Sequence, residues 1–347
     1  MDCSFHFVRR DTSRFVVGDG VEAQLPTLLR ELGNDAVVVL HDPAVAPIAE
    51  RIAAAVGART TLPIAGGETS KQLANVGSIA TELRKLGATR RTALLALGGG
   101  TITDLVSFVA ATFLRGVPFV ACPTTTLALC DAALGGKNGV DHGGLKNELG
   151  TIRQPQLLVG DVAWLRTLPD ALFREGFVEV VKKAAVLDAP HFARLEQLAP
   201  AIARRDAAAT REAIEMAVAM KMAVVVADEH EGDRRRWLNF GHTIGHALES
   251  LADGALRHGE CVALGMLAEC RAAGVPAATT QRIAALLREL GAPTTFPPQF
   301  TAVDALWQRA QQDKKVRDGR VPMVVPTTLG AGTVENLTRE TLARSLA

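Results

Sequence analysis

The first half of the chain alternates between short apolar runs and longer amphipathic stretches. Ala36 to Leu40 is a compact β-branched run, the pattern of a buried strand. Pro43 to Val56 follows with helical character, and Thr60 to Ile64 reads as another strand. Leu73, Val76, Ile79, Leu83 and Leu86 then recur at helical spacing. Thr92 to Leu97 reads as a strand running into Gly98, Gly99 and Gly100. Ile102 to Leu114 reads as a helix, and Val117 to Cys122 as a strand closed by Pro123. Strands alternating with helices predict a parallel sheet with crossover connections. After Pro169 the pattern changes. Ala171 to Leu187, Ala207 to Val226, Leu238 to Leu251, Glu260 to Ala273 and Thr279 to Leu290 all read as helices, and Val321 to Val325 alone looks like a strand. The expected organisation is an α/β nucleotide-binding domain over residues 1–169 and an all-α domain over residues 170–347.

A length of 347 residues suits two domains. Hydrophobic residues make up 48% and charged residues 22%, enough for real cores and for solubility. The net charge of +1 gives no global attraction to nucleic acid or an anionic membrane, so neither is an expected partner. The absence of Tyr and an aromatic content of 4% argue against base-stacking platforms. Five cysteines without a Cys-x-x-Cys pair indicate neither a disulfide framework nor a cysteine zinc site, and the cytoplasm is the simplest location. Met1 to Phe15 is charged throughout and is not read as a signal peptide. Ala213 to Ala227, the most apolar helical stretch, is interrupted by Glu215 and Lys221 and is not read as a membrane span.

Four clusters could carry chemistry. Gly98-Gly99-Gly100 follows a strand and opens a helix, where small residues let backbone N–H groups approach a phosphate. The same run also suits a tight turn without a ligand. Asp131, Gly135, Gly136, Lys137, Lys146 and Asn147 form a polar, helix-breaking stretch with two lysines, suited to a phosphorylated ligand. His242 and His246 stand four apart on one helix face, His258 follows in His-Gly-Glu, and Glu179 lies on another helix. Imidazoles plus a carboxylate are the donor set of a catalytic zinc. Spacing alone pairs His242 with His246 on the metal. Thr243 stands where a zinc protease helix needs Glu, so protease chemistry is not expected. Finally, Lys182, Lys221, Glu231, Arg234, Arg235, Asp313, Lys314 and Lys315 read either as solvated charge or as a grip for an anionic substrate.

Taken together, these residues resemble the 3-dehydroquinate synthase family of sugar-phosphate cyclases, over residues 35 to 330. The resemblance runs through Gly67-Glu68 with Lys71, Gly98-Gly99-Gly100 with Asp104, Arg115-Gly116, Pro123-Thr124-Thr125, Asp131 with Gly135-Gly136-Lys137, and Lys146-Asn147. It continues through Glu179-Val180-Val181-Lys182, Lys221, Asp228-Glu229 with Glu231 and Arg235, Asn239-Phe240-Gly241-His242, His246, His258-Gly259-Glu260 and Asp313-Lys314-Lys315. It implies a Rossmann-like domain followed by a helical one. It implies Glu179, His242 and His258 as ligands of zinc, or of cobalt in its place, and moves His246 towards the substrate phosphate. Glu68, Lys71, Gly98, Gly99, Gly100, Asp104, Thr124, Thr125 and Thr167 are the implied NAD contacts. Lys137, Asn147, Asn239, His246 and one of Lys314 and Lys315 are the implied phosphate contacts, joined across a homodimer by Arg115. Lys221 and Arg235 are implied to hold a carboxylate, and Asp131, Lys146, Lys182 and Glu231 to surround the reacting carbons. The implied reaction is cyclisation of 3-deoxy-D-arabino-heptulosonate 7-phosphate to 3-dehydroquinate and phosphate, with NAD used catalytically.

The sequence departs from the family pattern at Thr101-Ile102-Thr103, Ser107, Cys130, Asp141 and Thr151-Ile152-Arg153. These departures leave room for a sibling cyclase making valiolone-, inosose- or amino-type products. A metal-dependent alcohol dehydrogenase of the glycerol dehydrogenase type and a non-catalytic NAD-binding protein are the readings from other classes.

Overall fold

The computed structural model describes residues 12–143, 145–229, 232, 234–312 and 320–346. Its contacts divide the chain into two compact units. One is Met1–Thr124 with Gly136–Asp161, the other Thr125–Gly135 with Val162–Ala347. The single border expected near residue 169 thus gives way to a division that the chain crosses more than once. The physical reason lies at Thr126, whose hydroxyl donates to the Leu172 and Phe173 carbonyls at 2.9 and 2.8 Å and ties the segment to the helical unit.

The first unit contains β1 (Arg14–Gly18), α1 (Leu25–Glu31), β2 (Ala36–His41), α2 (Ala46–Val56), β3 (Thr60–Pro63), α3 (Leu73–Lys85), β4 (Thr92–Gly98), α4 (Gly100–Thr112), β5 (Phe119–Pro123), β6 (Lys137–His142), β7 (Leu145–Ile152) and β8 (Leu157–Asp161). Six strands form one parallel sheet in the order β1-β8-β5-β4-β2-β3. Every residue of β4 is buried, as its unbroken apolar run requires. From β2 the chain proceeds outward to β3, and from β4 in the opposite direction to β5. Such a switch point opens a crevice at the carboxyl ends of the strands, a preferred ligand position in α/β sheets. Gly98-Gly99-Gly100 lies at that end of β4.

The polar, helix-breaking segment 137–152 forms an antiparallel hairpin, β6 against β7. Asn138 is its internal fastener. Its side-chain oxygen accepts from the Thr151 hydroxyl at 2.8 Å, and its amide donates to Ser107 on α4 at 2.9 Å.

The second unit contains α5 (Asp170–Leu187), α6 (Ala189–Ala203), α7 (Ala207–Ala227), α8 (His242–Ala252), α9 (His258–Ala272), α10 (Ala277–Glu289), α11 (Val303–Ala310), β9 (Val321–Thr328), β10 (Ala331–Leu337) and α12 (Arg339–Leu346). It is not purely helical, since β9 and β10 pair as an antiparallel hairpin. Its core joins Ile244 and Leu248 of α8, Leu264 of α9, Leu306 of α11, Met323 of β9 and Leu342 of α12. Each such side chain, fully buried, contributes about 1.5–3 kcal/mol. No helix among the described residues is long and apolar enough to cross a membrane. Cys122, Cys130, Cys261 and Cys270 are buried and form no disulfide among the described residues.

Candidate functional site

Two glycines set the geometry of the polar centre in the second unit. A Cβ added at Gly265 on α9 would lie 2.1 Å from the Gly241 carbonyl oxygen, so only glycine admits the start of α8 this close. A Cβ at Gly259 would meet the Glu175 side chain at 2.6 Å, which seats the first turn of α9 directly on α5. The carboxylate of Glu269, fully buried on α9, accepts from the Gly241 and Ile244 backbone N–H groups at 2.7 and 2.9 Å. That carboxylate satisfies donors at the helix N-terminus that have no partner within the helix. Three helices thereby bring together Glu179 of α5, His242 of α8 and His258 of α9.

The Nε2 atoms of His242 and His258 lie 3.8 and 3.7 Å from Glu179 Oε1. Nδ1 of His242 faces the Phe240 carbonyl at 3.1 Å, and Nδ1 of His258 faces Glu249 at 3.0 Å. Neither partner can donate, so each Nδ1 carries a proton, and Nε2 is the nitrogen that each ring can offer to a cation. Both Glu179 oxygens are buried without a well-formed hydrogen bond, although Lys182 reaches one of them as an ion pair. Ligand atoms about 2 Å from a tetrahedral zinc stand roughly 3.3 Å apart, so a small contraction of this cluster accommodates one. A buried carboxylate poor in donors, with two imidazole lone pairs beside it, fits a divalent cation.

The pairing suggested by spacing is not the one the helices produce. His242 is buried and His246 exposed, with ring centroids 5.0 Å apart. His246 instead joins Glu249 and His258 in a second, overlapping group of donor atoms. Without a cation, burial disfavours protonation of both ligand histidines. For His258 the Glu179 and Glu249 carboxylates overcome it and push the imidazole up to about 10. His242, desolvated and facing the Lys182 charge, stays well below its ordinary value.

A charged network surrounds this cluster. Lys183, fully buried, lies 2.7 Å from Asp131 and 4.0 Å from Glu179. Lys221 reaches the same Asp131 oxygen at 2.9 Å and the Asp131 carbonyl at 2.8 Å. Burial alone would raise the Asp131 carboxyl, but the Lys183, Lys221 and Lys182 charges hold it well below the usual carboxylate range. Burial pulls Lys221 down to about 8, with Lys183 and Lys182 adding to the effect against the pull of Asp131. Arg235, only 3% exposed, donates to the Gly135 carbonyl at 2.8 Å and to the Glu229 carbonyl. Asn239 ends the turn Arg234–Asn239 just before α8, half-buried. Lys183, Glu249 and Glu269 escape a reading of the sequence. Lys183 looks like half of an ordinary surface lysine pair, and the two glutamates look like helix-surface charge.

The first unit carries the other expected groups. A Cβ at Gly98 would lie 2.7 Å from Ile102, so this glycine is required by packing as well as by any ligand. Gly99 caps α4, whose first turn offers N–H groups at the switch point. Lys71, 3% exposed, donates to Asp104 at 2.9 Å and also to the Asn147 side chain. Asp104, Lys137 and Asn147 line one cavity of about 370 Å³, so an expected NAD contact and two expected phosphate contacts share a space. Asn147 adopts a positive φ of 50° while its N–H donates to Asp141 at 2.8 Å. Glu68 and Lys146 are exposed, whereas Thr124 is buried with its N–H on the Gly98 carbonyl at 2.9 Å. Thr125 and Thr167 belong to the second unit, Thr125 holding the Ala128 N–H at 3.1 Å and Thr167 being exposed.

Arg115 stands exposed in a run of positive φ values, 50° at Leu114, 66° at Arg115 and 116° at Gly116. Arg153, in a position where the sequence departs from the family pattern, fixes the ends of that run. It donates to the Ala110 and Val117 carbonyls, each at 2.7 Å. Glu231, Lys314 and Lys315 lie outside the described residues.

The domain profiles described as 3-dehydroquinate synthase N-terminal and C-terminal match residues 61–175 and 176–316. A 3-dehydroquinate synthase from Latilactobacillus sakei is 39% identical over 292 residues, covering 84% of this chain and 81% of its own. A 2-epi-valiolone synthase from Actinosynnema mirum is 37% identical over 355 aligned positions, 98% of this chain and 93% of its own. Among solved structures, the 2-epi-5-epi-valiolone synthase of Streptomyces hygroscopicus, with NAD+ and Zn2+ bound, superposes with a TM-score of 0.89. It is 26% identical, and the match covers 99% of this chain and 98% of that one. With both profiles matched in order across most of its length, the chain belongs to the 3-dehydroquinate synthase family.

Proposed function

We propose that the chain converts 3-deoxy-D-arabino-heptulosonate 7-phosphate to 3-dehydroquinate and phosphate, with NAD recycled and a divalent metal held by Glu179, His242 and His258. The observation that carries this reading is the charge of the second unit's centre. Among the described residues, three ammonium groups (Lys182, Lys183, Lys221) pair with two carboxylates (Glu179, Asp131), and Arg235 is buried beside them against Gly135. Lys221 and Arg235 both bond to the segment Asp131–Gly135, so two cations stand at one short stretch of chain, and the proposed substrate brings a carboxylate as well as a phosphate.

When bound, NAD supplies a hydride acceptor and donor, and the metal supplies Lewis acidity towards a substrate oxygen. The protein's own groups do the rest by position and charge. Lys221 and Arg235 hold the carboxylate. Asp131, kept ionised by Lys183 and Lys221, accepts a hydrogen bond from a substrate hydroxyl and orients the carbon chain. Lys137, Asn147, Asn239 and His246 take the phosphate, with one of Lys314 and Lys315. Lys146, Lys182 and Glu231 line the reacting carbons. Arg115 reaches the phosphate site of a second copy in a homodimer, and sedimentation of the purified chain at one or two chain masses decides that assembly.

Incubation with the heptulosonate phosphate, NAD+ and Zn2+ is expected to give 3-dehydroquinate and one equivalent of phosphate, without net NADH. The near full-length likeness to a 2-epi-valiolone synthase supports a second reading, a sibling cyclase for a carboxylate-free heptulose phosphate. Turnover of that substrate alone would select it, and steady NADH accumulation with simple polyols would select an alcohol dehydrogenase instead.

A pH profile follows from Lys221. Its ammonium loses its proton at about 8 in the free protein, so grip on a carboxylate is present below that pH and fades above it. The specificity constant, which reports the free enzyme, is expected to fall as pH rises through about 8. In Lys221→Arg the guanidinium stays charged and that limb should move to higher pH. An unchanged limb in the variant would assign it to another group.

A further inference from the structure

We propose that Glu249 is a positioning residue for the metal centre, holding His258 in the tautomer that presents Nε2 to Glu179. The inference rests on the metal-centre reading above. His242, His246 and Glu249 follow one another along α8 at intervals of one turn, so they share a helix face. His258 begins α9 and lies with its two ring nitrogens towards two different carboxylates. Nε2 is 3.7 Å from Glu179, and Nδ1 is 3.0 Å from Glu249. The shorter separation is that of a hydrogen bond, the longer one leaves space for an ion between.

The two histidines of the centre are held in different ways. His242 Nδ1 is fixed by a backbone carbonyl of its own segment, Phe240 at 3.1 Å, which no side-chain replacement removes. His258 has the Glu249 side chain in that role, so its Nδ1 is held by a replaceable group. A carboxylate on the far nitrogen fixes the tautomer and raises ligand basicity.

A rival use of Glu249 exists, because His246, Glu249 and His258 also offer donor atoms within 4.8 Å of one another. A second cation there would take Glu249 away from His258 Nδ1, or would require both nitrogens of one imidazole to be deprotonated. The hydrogen-bond distance between Glu249 and His258 favours the positioning role.

The test is zinc binding to the metal-stripped full chain by competition with a chromophoric chelator, for wild type, Glu249→Gln and Glu249→Leu. Wild type is expected to bind one zinc. Glu249→Leu is expected to bind it about 10- to 100-fold more weakly. Glu249→Gln, whose amide oxygen can accept the same Nδ1–H, should stay closer to wild type than Leu does. Nitrogen-15 spectra of the histidine rings in the zinc-loaded proteins supply the second readout. In wild type and Glu249→Gln the His258 Nδ1–H should be held in a hydrogen bond and exchange slowly with solvent, whereas in Glu249→Leu it should exchange fast, the zinc on Nε2 keeping the proton on Nδ1 in all three. Wild-type affinity and wild-type Nδ1–H exchange in Glu249→Leu would overturn the inference. Binding of two zinc ions by wild type, with one lost in Glu249→Leu, would overturn it in favour of a second cation site. No zinc bound by wild type would overturn the metal centre itself, and this inference with it.

Discussion

Glu179→Gln is expected to lose its metal and, with it, a factor of about 10²–10³ or more in turnover. The substitution keeps the side chain's volume, so packing on α5 is unchanged. What disappears is a carboxylate that faces both ligand histidines, at 3.8 and 3.7 Å. A structural cost comes with the chemical one. Lys182 and Lys183 are buried beside Glu179, and Lys182 loses its ion-pair partner, whereas Lys183 keeps Asp131 at 2.7 Å. Removing one side of a buried pair costs about 3–5 kcal/mol, a large share of the roughly 5–15 kcal/mol that holds a domain folded. Thermal unfolding therefore has to be measured alongside zinc content and activity. The expected pattern is a lowered melting temperature for the second unit, no bound zinc, and an unaltered sheet signature from the first unit. Wild-type turnover from a folded, zinc-free Glu179→Gln protein would remove the metal from the chemistry. Restored activity on adding excess zinc would show that Gln still ligates and that charge is not what Glu179 provides.

How far the sequence leads depends on whether a feature is local. Ala36 to Leu40, Thr92 to Leu97 and Val117 to Cys122 read as strands because central parallel strands are buried on both faces and carry unbroken apolar runs. The hairpin of β6 and β7 does not read that way. Its residues are polar and glycine-rich, and its order comes from Asn138 bonding across to Thr151 and down to Ser107, contacts invisible along the chain. The hairpin of β9 and β10 is half legible for a similar reason. Val321 to Val325 is apolar and buried, while β10 presents exposed residues and is a strand by virtue of its partner. At the site, a spacing of four places His242 and His246 on one helix but cannot say which nitrogen meets which carboxylate. That depends on glycines at 259 and 265, whose only content is the absence of a side chain where two helices touch. Residue type brings Glu179 and His258 into the candidate set, the family pattern assigns them to the metal, and geometry then supplies Lys183, Glu249 and Glu269, which sit one contact behind the residues that carry the motifs.

Arg235→Ala is expected to reduce the specificity constant for the carboxylate substrate by about 2–5 kcal/mol, roughly 30- to 5,000-fold. The guanidinium has two duties, and the experiment has to separate them. Arg235 donates to the Gly135 carbonyl at 2.8 Å, and a Cβ at Gly135 would come within 2.8 Å of the same guanidinium, so glycine stands there to let the arginine in. Through this contact Arg235 steadies the turn that follows Asp131. Its loss would disturb any substrate that Asp131 orients, with or without a carboxylate. A carboxylate-free heptulose phosphate measures that shared part, by turnover or, where it is not turned over, by competitive inhibition. The expected result is a loss on the carboxylate-free compound at least about tenfold smaller than on the carboxylate substrate, so that discrimination between the two narrows. Arg235→Lys keeps the charge but not the planar fork, and should fall between wild type and Ala on the carboxylate substrate alone. Parallel losses on both compounds would mean that Arg235 serves only the turn and that the carboxylate is gripped elsewhere. A specificity constant within about twofold of wild type would remove both duties and shift the reading to the valiolone- and inosose-type sibling cyclases, whose substrates carry no carboxylate to hold.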